Sequence, residues 1–146
     1  MTNGYAYTSV IRNGVPCAVI ATSNSKITLY KKNSSGQLSW SESLTLEVAG
    51  NLLATNEAGT KLYIAPYPGT SSTQAYDFIM MVDMTATTLS ATKIKLVNTA
   101  VVYDMKRIDN DRIMLACDAN TVYIINTVNN SLSKSSITGG TLATVW

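Results

Sequence analysis

Glu57-Ala-Gly59-Thr-Lys-Leu-Tyr63-Ile-Ala65, followed after an insertion by Phe78-Ile-Met-Met-Val-Asp83-Met-Thr-Ala-Thr-Thr88-Leu89, carries the pattern that decides the fold. Glu57-Ala58-Gly59 is a tight-turn signal. Lys61 to Ala65 and Phe78 to Asp83 are short apolar runs bounded by turn residues, and such runs read as strands. Pro66 to Asp77 is a loop insertion between them. Thr85 to Thr88 makes a polar turn, and Leu89 then opens another strand. The order is therefore strand, tight turn, strand, loop, strand, polar turn, strand.

The same order recurs on both sides of this stretch. Arg12-Asn13-Gly14 and Asp109-Asn110-Asp111 repeat the tight turn, and Asn33-Ser-Ser-Gly36 and Thr127-Val-Asn-Asn-Ser131 repeat the polar one. Leu38 and Leu132 follow those polar turns as Leu89 follows its own. Strand-length runs lie at Ala18 to Thr22, Lys26 to Tyr30, Arg112 to Cys117 and Thr121 to Asn126. From Trp40 to Val48, Leu44, Leu46 and Val48 alternate with Ser43, Thr45 and Glu47, the period of a half-buried strand. No window holds apolar residues at helical spacing between caps, so almost no helix is expected.

Gly14 and Gly59 are 45 positions apart, and Gly59 and Asn110 are 51 apart. The 146 residues form one domain of three units at about 4–48, 50–97 and 99–138. An extra strand follows at 139–146, Gly139-Gly-Thr-Leu-Ala-Thr-Val-Trp146. A four-stranded repeat of 40–50 residues has the size of one β-propeller blade. The expected class is all-β, built of antiparallel four-stranded repeats as three blades of a propeller-like architecture. A β-sandwich of about a dozen short strands is the alternative.

Gly59-Thr-Lys-Leu-Tyr63-Ile-Ala65 with Ile79-Met-Met-Val-Asp83-Met-Thr85 resembles the propeller repeat of surface-layer and lactonase-like proteins. In that repeat a Gly-x-x-Leu-Tyr-Val strand leads to a Val-Ile-Asp-x-x-Thr strand end. Arg112-Ile-Met-Leu115 with Thr121-Val-Tyr-Ile-Ile-Asn126 fits the template with Asn126 in place of Asp. Ala18-Val-Ile20 with Lys26-Ile-Thr-Leu-Tyr30 fits more loosely. The resemblance implies a fold rather than an activity. Closed propellers use four to eight blades, and three leave the flanks of the first and last sheets without neighbours. The expected remedy is self-association, a dimer completing six blades, or docking on a protein partner in a larger assembly.

Composition narrows the chemistry. The chain has 34 Ser and Thr, 12 Asn, one Phe and no His, and only 14% of its residues are charged. Without His, the Ser-His-Asp and Cys-His constellations are excluded and zinc is disfavoured. Cys17 and Cys117, far apart in apolar runs, read as buried free thiols, with a single disulfide as the alternative. Ser-x-x-Lys spacing occurs at Ser23/Lys26, Ser90/Lys93 and Ser131/Lys134, never where a helix would return the Lys to the Ser. Asp109-Asn110-Asp111 lacks the further oxygen ligands of a calcium loop. No catalytic residue, metal or cofactor is expected.

Binding needs only a surface. In a propeller the loops from second to third strand share one end with the connections between blades, and here they hold Tyr67, Tyr76, Asp77, Asp118 and Asn120, with Asn24, Asn51 and Asn98 nearby. Tyr among small polar residues suits recognition of a partner, so those five are the candidate site. The expected function is a non-catalytic structural or interaction module, with a carbohydrate- or small-ligand-binding, lectin-like propeller as the alternative. The net charge of +2, with no run longer than two basic residues, argues against nucleic acid. The N-terminal stretch lacks the features of a signal peptide, and no apolar segment is long enough to span a membrane. The expected setting is cytoplasmic synthesis, and the composition suits a virion or surface assembly.

Overall fold

The structure, a computed structural model, describes residues 4–69 and 73–137. Twelve strands occur in it: β1 Gly4–Arg12, β2 Val15–Thr22, β3 Lys26–Lys32, β4 Leu38–Thr45, β5 Gly50–Thr55, β6 Lys61–Pro66, β7 Tyr76–Asp83, β8 Ala91–Ala100, β9 Val102–Arg107, β10 Arg112–Cys117, β11 Thr121–Asn126 and β12 Leu132–Ser136. They form three four-stranded antiparallel sheets, each in simple chain order. Three sheets standing side by side, rather than two facing layers, make this a propeller-like arrangement and not a sandwich.

The turns read from the sequence close these sheets. Arg12 pairs with Val15, which leaves Asn13 and Gly14 as a two-residue hairpin loop. Both have positive φ, 50° and 80°, the combination that matches the twist of the flanking strands and that Asn-Gly supplies at least strain. β10 and β11 have the bounds expected from their apolar runs. β4 does not: it ends at Thr45, because its partner β3 begins at Lys26; Ser25, opposite Leu46, already belongs to the preceding turn with φ 57° and accepts one last bond from the Leu46 amide at 2.7 Å. Leu46 is nonetheless buried, so its alternation with Thr45 reported burial correctly and strand length incorrectly. The second sheet runs to Ala100. The segment expected as an extra strand, 139–146, lies outside the described residues.

The first strands of the sheets, β1, β5 and β9, lie together, and the sheets radiate from them as blades. Each junction between blades is a separate core. Cys17, Val19 and Ala21 of β2 and Ile27 and Leu29 of β3 meet Leu62, Ile64, Met80 and Val82 of the middle blade. The alternate residues of that blade, Tyr63, Ala65 and Ile79, meet Ile113, Leu115, Cys117, Tyr123 and Ile125 of the third. The inner strands of the middle blade are thus buried on both faces, which explains why β6 and β7 read as continuous apolar runs while the outermost strands β4, β8 and β12 alternate or turn polar. Gly50 has no room for a side chain: a Cβ there would stand 2.5 Å from Ile64 Cγ2 of its own blade and 3.7 Å from Ala21 Cβ of the first.

Cys17 and Cys117 are free and buried. Burial pushes the Cys117 thiol up from its ordinary 9 to about 12 and the Tyr63 hydroxyl from 10 to about 12. Both groups are acids whose folded pKa lies above the unfolded one, so the stability they contribute is complete below the unfolded value and is lost as pH rises toward the folded one. With no His in the chain, the melting temperature should be nearly level from about pH 6 to 9 and fall progressively above about pH 9. Replacing Cys117 with alanine should delay that alkaline fall, as a thermal scan at successive pH values would record.

Candidate functional site

Two kinds of feature stand out: devices that tie one blade to the next, and blade faces that have no neighbour. The first device centres on Arg12, at the end of β1, with 8% of its surface exposed. Its guanidinium crosses to the middle blade and donates from Nη1 to the Met84 carbonyl at 2.9 Å, and also to the carbonyls of Ala86 and Thr87. Nε pairs with Glu42 of its own blade. The planar fork of Arg suits this task, because several donors leave it in fixed directions. The second device centres on Lys61, at the start of β6. Its Nζ donates to the Thr127 carbonyl of the third blade at 2.6 Å and to the Val128 carbonyl at 3.2 Å. Beside it the buried Tyr63 hydroxyl donates to Asn130 Oδ1 at 2.6 Å. In both junctions a cation of one blade holds the turn between the third and fourth strands of the next.

The outer face of the first blade has no such neighbour among the described residues. Since Cys17, Val19 and Ala21 point to the middle blade, Ala18 and Ile20 point the other way. Ala18 pairs with Tyr30 and Tyr30 with Trp40, while Tyr7 pairs with Ile20. Tyr7 is 86% exposed and Trp40 64% exposed. The Trp40 indole donates to Ser43 Oγ at 3.1 Å, and that hydroxyl lies 3.3 Å from Thr28 Oγ1, which fixes the ring across this face. On the far side of the third blade, Met114 pairs with Ile124 and both are half-buried. Farther along, Ala116 and Val122 are buried. Arg112, Ile124, Asn126 and Ser133 line a hollow of about 300 Å3 on that blade.

A shallow groove of about 440 Å3 runs between β1, β5 and β9, with Tyr7, Asn51, Asp104 and Lys106 on its walls. Arg107, also on the wall, pairs with Glu57. No cluster of three metal-ligating side chains occurs among the described residues.

The five residues expected to recognise a partner all lie where blade connections and second-to-third-strand loops meet. Tyr67 is half-buried, and its amide donates to the Ala49 carbonyl at 2.7 Å. Tyr76 opens β7 and packs edge-on against Phe78 with ring centroids 5.8 Å apart. Asp77 faces Lys95 at 3.8 Å. Asp118 accepts from the Val101 amide at 2.9 Å, and Asn120 adopts φ 52° and accepts from the Ile137 amide. Tyr76 pairs with Ala100, the residue before Val101, so the set is aligned along one end of the molecule. Each of the five also has a task inside the fold.

Two of the three Ser-x-x-Lys lysines are likewise absorbed. Lys93 pairs with Glu47 and lies 4.3 Å from the centre of the Phe78 ring, and Lys134 donates to Asn98 Oδ1 at 2.7 Å. Asp109-Asn110-Asp111 forms the expected turn. There Arg112, together with the Asp111 amide, holds the Asp109 carboxyl below the usual carboxylate range. Arg12, Lys61 and the exposed Tyr7 were not anticipated as junction or flank residues. The one signal available for the two cations was that each stands beside the tight turn joining the first and second strands of its blade.

No family model matches the chain, and no curated protein matches it. Solved structures do. A crystal structure of BBS1N in complex with ARL6DN, soaked with lead, superposes with a TM-score of 0.66 at 15% identity, over 94% of this chain and 40% of that one. The mercury-soaked form of the same complex gives 0.63 at 16% identity, over 90% and 38%. The structure of U3-55K gives 0.62 at 9% identity, over 93% and 40%. These are propeller-type structures, and the likeness at such identities is one of fold. The chain spans about two fifths of the length of the structures it matches. Among the described residues no helix is long and apolar enough to cross a membrane.

Proposed function

We propose that this chain is a non-catalytic interaction module whose two flanking blades recruit further blades, with a second copy of the same chain as the partner. The observation that carries the reading is the exposed face of the first blade, where Tyr7, Ile20 and Tyr30 stand at the positions that in the other two blades form the buried junction, with Trp40 beside them where those blades carry Lys93 and Lys134. An aromatic face of this kind marks a protein contact rather than a resting surface.

A second copy suits it because the two flanks differ in kind. Among the described residues, the first blade leaves open the face with which later blades meet their predecessor, and the third leaves open the face that meets a successor. Head-to-tail docking of two copies would join one to the other twice and give six blades, within the usual range for closed rings. BBS1N, a structural neighbour, is itself found in a protein complex, which is compatible with an interaction role. Of the rings a carbohydrate reading could use, Tyr67, Tyr76 and Trp40, the last lies on the flank and would be covered in such a pair. The loop end with Tyr67, Tyr76, Asp77, Asp118 and Asn120 remains the surface offered to a further partner.

The paired substitution Tyr7→Ser and Trp40→Ser tests the reading, because both side chains are exposed in the single chain and their loss should leave its fold intact. Sedimentation should record a shift toward the single-chain mass with an unchanged far-ultraviolet spectrum. An unaltered assembly would place the contact elsewhere.

A further inference from the structure

The junctions inside the chain supply a rule that can be carried to its outer edge. Lys61 pairs with Asp83, and Arg112 pairs with Asn126, so the two cations occupy the same register position in successive blades. A second pair of hydrogen bonds fixes the equivalence: the Met84 amide donates to the Thr60 carbonyl at 2.8 Å, and the Thr127 amide donates to the Asp111 carbonyl at 2.7 Å. Met84 and Thr127 therefore match, and each offers its carbonyl to the cation of the blade before it, Arg12 in one case and Lys61 in the other.

Among the described residues, both ends of this pattern are left without their counterpart. Arg112 lies on the side of its blade that faces a successor. Its side chain is 56% exposed and is parked on Asp109 in the adjoining turn. In the first blade, continuing the pairing of Cys17 with Lys31 places Asn33 opposite Val15, which makes Ser34 the match of Met84 and Thr127. Met84 and Thr127 are 0% and 3% exposed, whereas the whole turn 33–37 is exposed. A loose cation and an unclamped turn are thus the two halves of the contact that the chain makes twice within itself.

We infer that Arg112 of one chain clamps the carbonyls of the Asn33–Gly36 turn in a second copy, Ser34 foremost, as Arg12 and Lys61 clamp the turns of the blades that follow them. The inference rests on the self-association proposed above and deepens it to a named contact. Joining requires Arg112 to leave Asp109, an exposed pairing of little worth, and to take up carbonyl acceptors in a region that docking dries. The hollow beside Ile124 and Ser133 gives the incoming turn room.

The test combines dissociation constants with cross-linking on the full chain. Arg112→Ala should weaken the two-chain assembly at least tenfold in sedimentation equilibrium, while Asp109→Ala, which frees the guanidinium, should leave it as tight or tighter. Mixed single variants Ser34→Cys and Arg112→Cys should yield a covalent two-chain product with a short bis-maleimide. The parent chain, whose two cysteines are buried, should not. A stable assembly that ignores Arg112→Ala and gives no mixed product would overturn the clamp and leave self-association standing. A single-chain species at every concentration would overturn both.

Discussion

Replacing Arg12 with alanine is expected to lower the free energy of unfolding by about 3–5 kcal/mol, the range for removing one partner from a buried charged network. The guanidinium is almost wholly buried and serves three carbonyls of the middle blade as well as Glu42. Its loss leaves the buried Met84 carbonyl with only the long bond from the Asn13 amide, at 3.4 Å, and the Glu42 carboxylate without its cation, so the cost exceeds that of one hydrogen bond, about 1 kcal/mol. Arg12→Lys should recover part of the loss only, since an ammonium keeps the charge but cannot reach the carbonyls and the carboxylate in one plane. Urea titration with an unchanged m-value would measure both. Equal stability of Arg12→Lys and the parent would show that charge alone, not the fork, holds the junction.

Tyr63→Ala should cost a similar amount, about 3–5 kcal/mol, for a different reason. The ring is fully buried between the middle and third blades, and truncation leaves a cavity lined by a β-sheet that cannot collapse onto it. Tyr63→Phe separates packing from polarity. It keeps the ring and removes the hydroxyl that reaches Asn130, and should cost only about 1 kcal/mol, because the Asn130 side chain is partly exposed and can turn to water. A Tyr63→Phe loss as large as that of Tyr63→Ala would mean that the junction depends on the Asn130 bond rather than on the ring. The two alanine variants act on different junctions of a stacked structure, so their effects should add to within about 0.5 kcal/mol.

The blade pattern was legible because it is local. A strand, its turn and the next strand lie within about ten residues, and period-2 burial with Asn-Gly or Asp-rich turns encodes them directly; β10 and β11 carry the expected bounds for that reason. Leu46 shows where locality fails: its alternation is intact, but the strand ends first because its opposite residue, Ser25, lies in the turn between β2 and β3. The junction devices were not legible. Lys61 and Thr127 are 66 positions apart and Arg12 and Met84 are 72 apart, and nothing in the neighbourhood of either cation names its acceptor. The acceptors are backbone carbonyls, which carry no residue signature at all.

The candidate partner-binding residues illustrate the same limit from the other side. Composition selected Tyr76, Asp118 and Asn120 because Tyr, Asp and Asn favour both recognition and turns. In the structure Tyr76 packs on Phe78, Asp118 caps the Val101 amide and Asn120 takes the left-handed conformation of its turn. A sequence cannot separate those uses, since the same short polar side chains serve both. The exposed aromatic face was hidden for a related reason. Tyr7, Tyr30 and Trp40 are distant in the chain and become one surface only when the register of β1 to β4 brings them to the same side.

The most direct measurement is the mass of the intact chain in solution, by light scattering or native mass spectrometry over a dilution series. The account predicts a species of about twice the 15.7 kDa chain, dissociating on dilution or on loss of Tyr7 and Trp40, with little binding of a hydrophobic dye while paired. A 15.7 kDa species that persists at every concentration and binds no dye would contradict it.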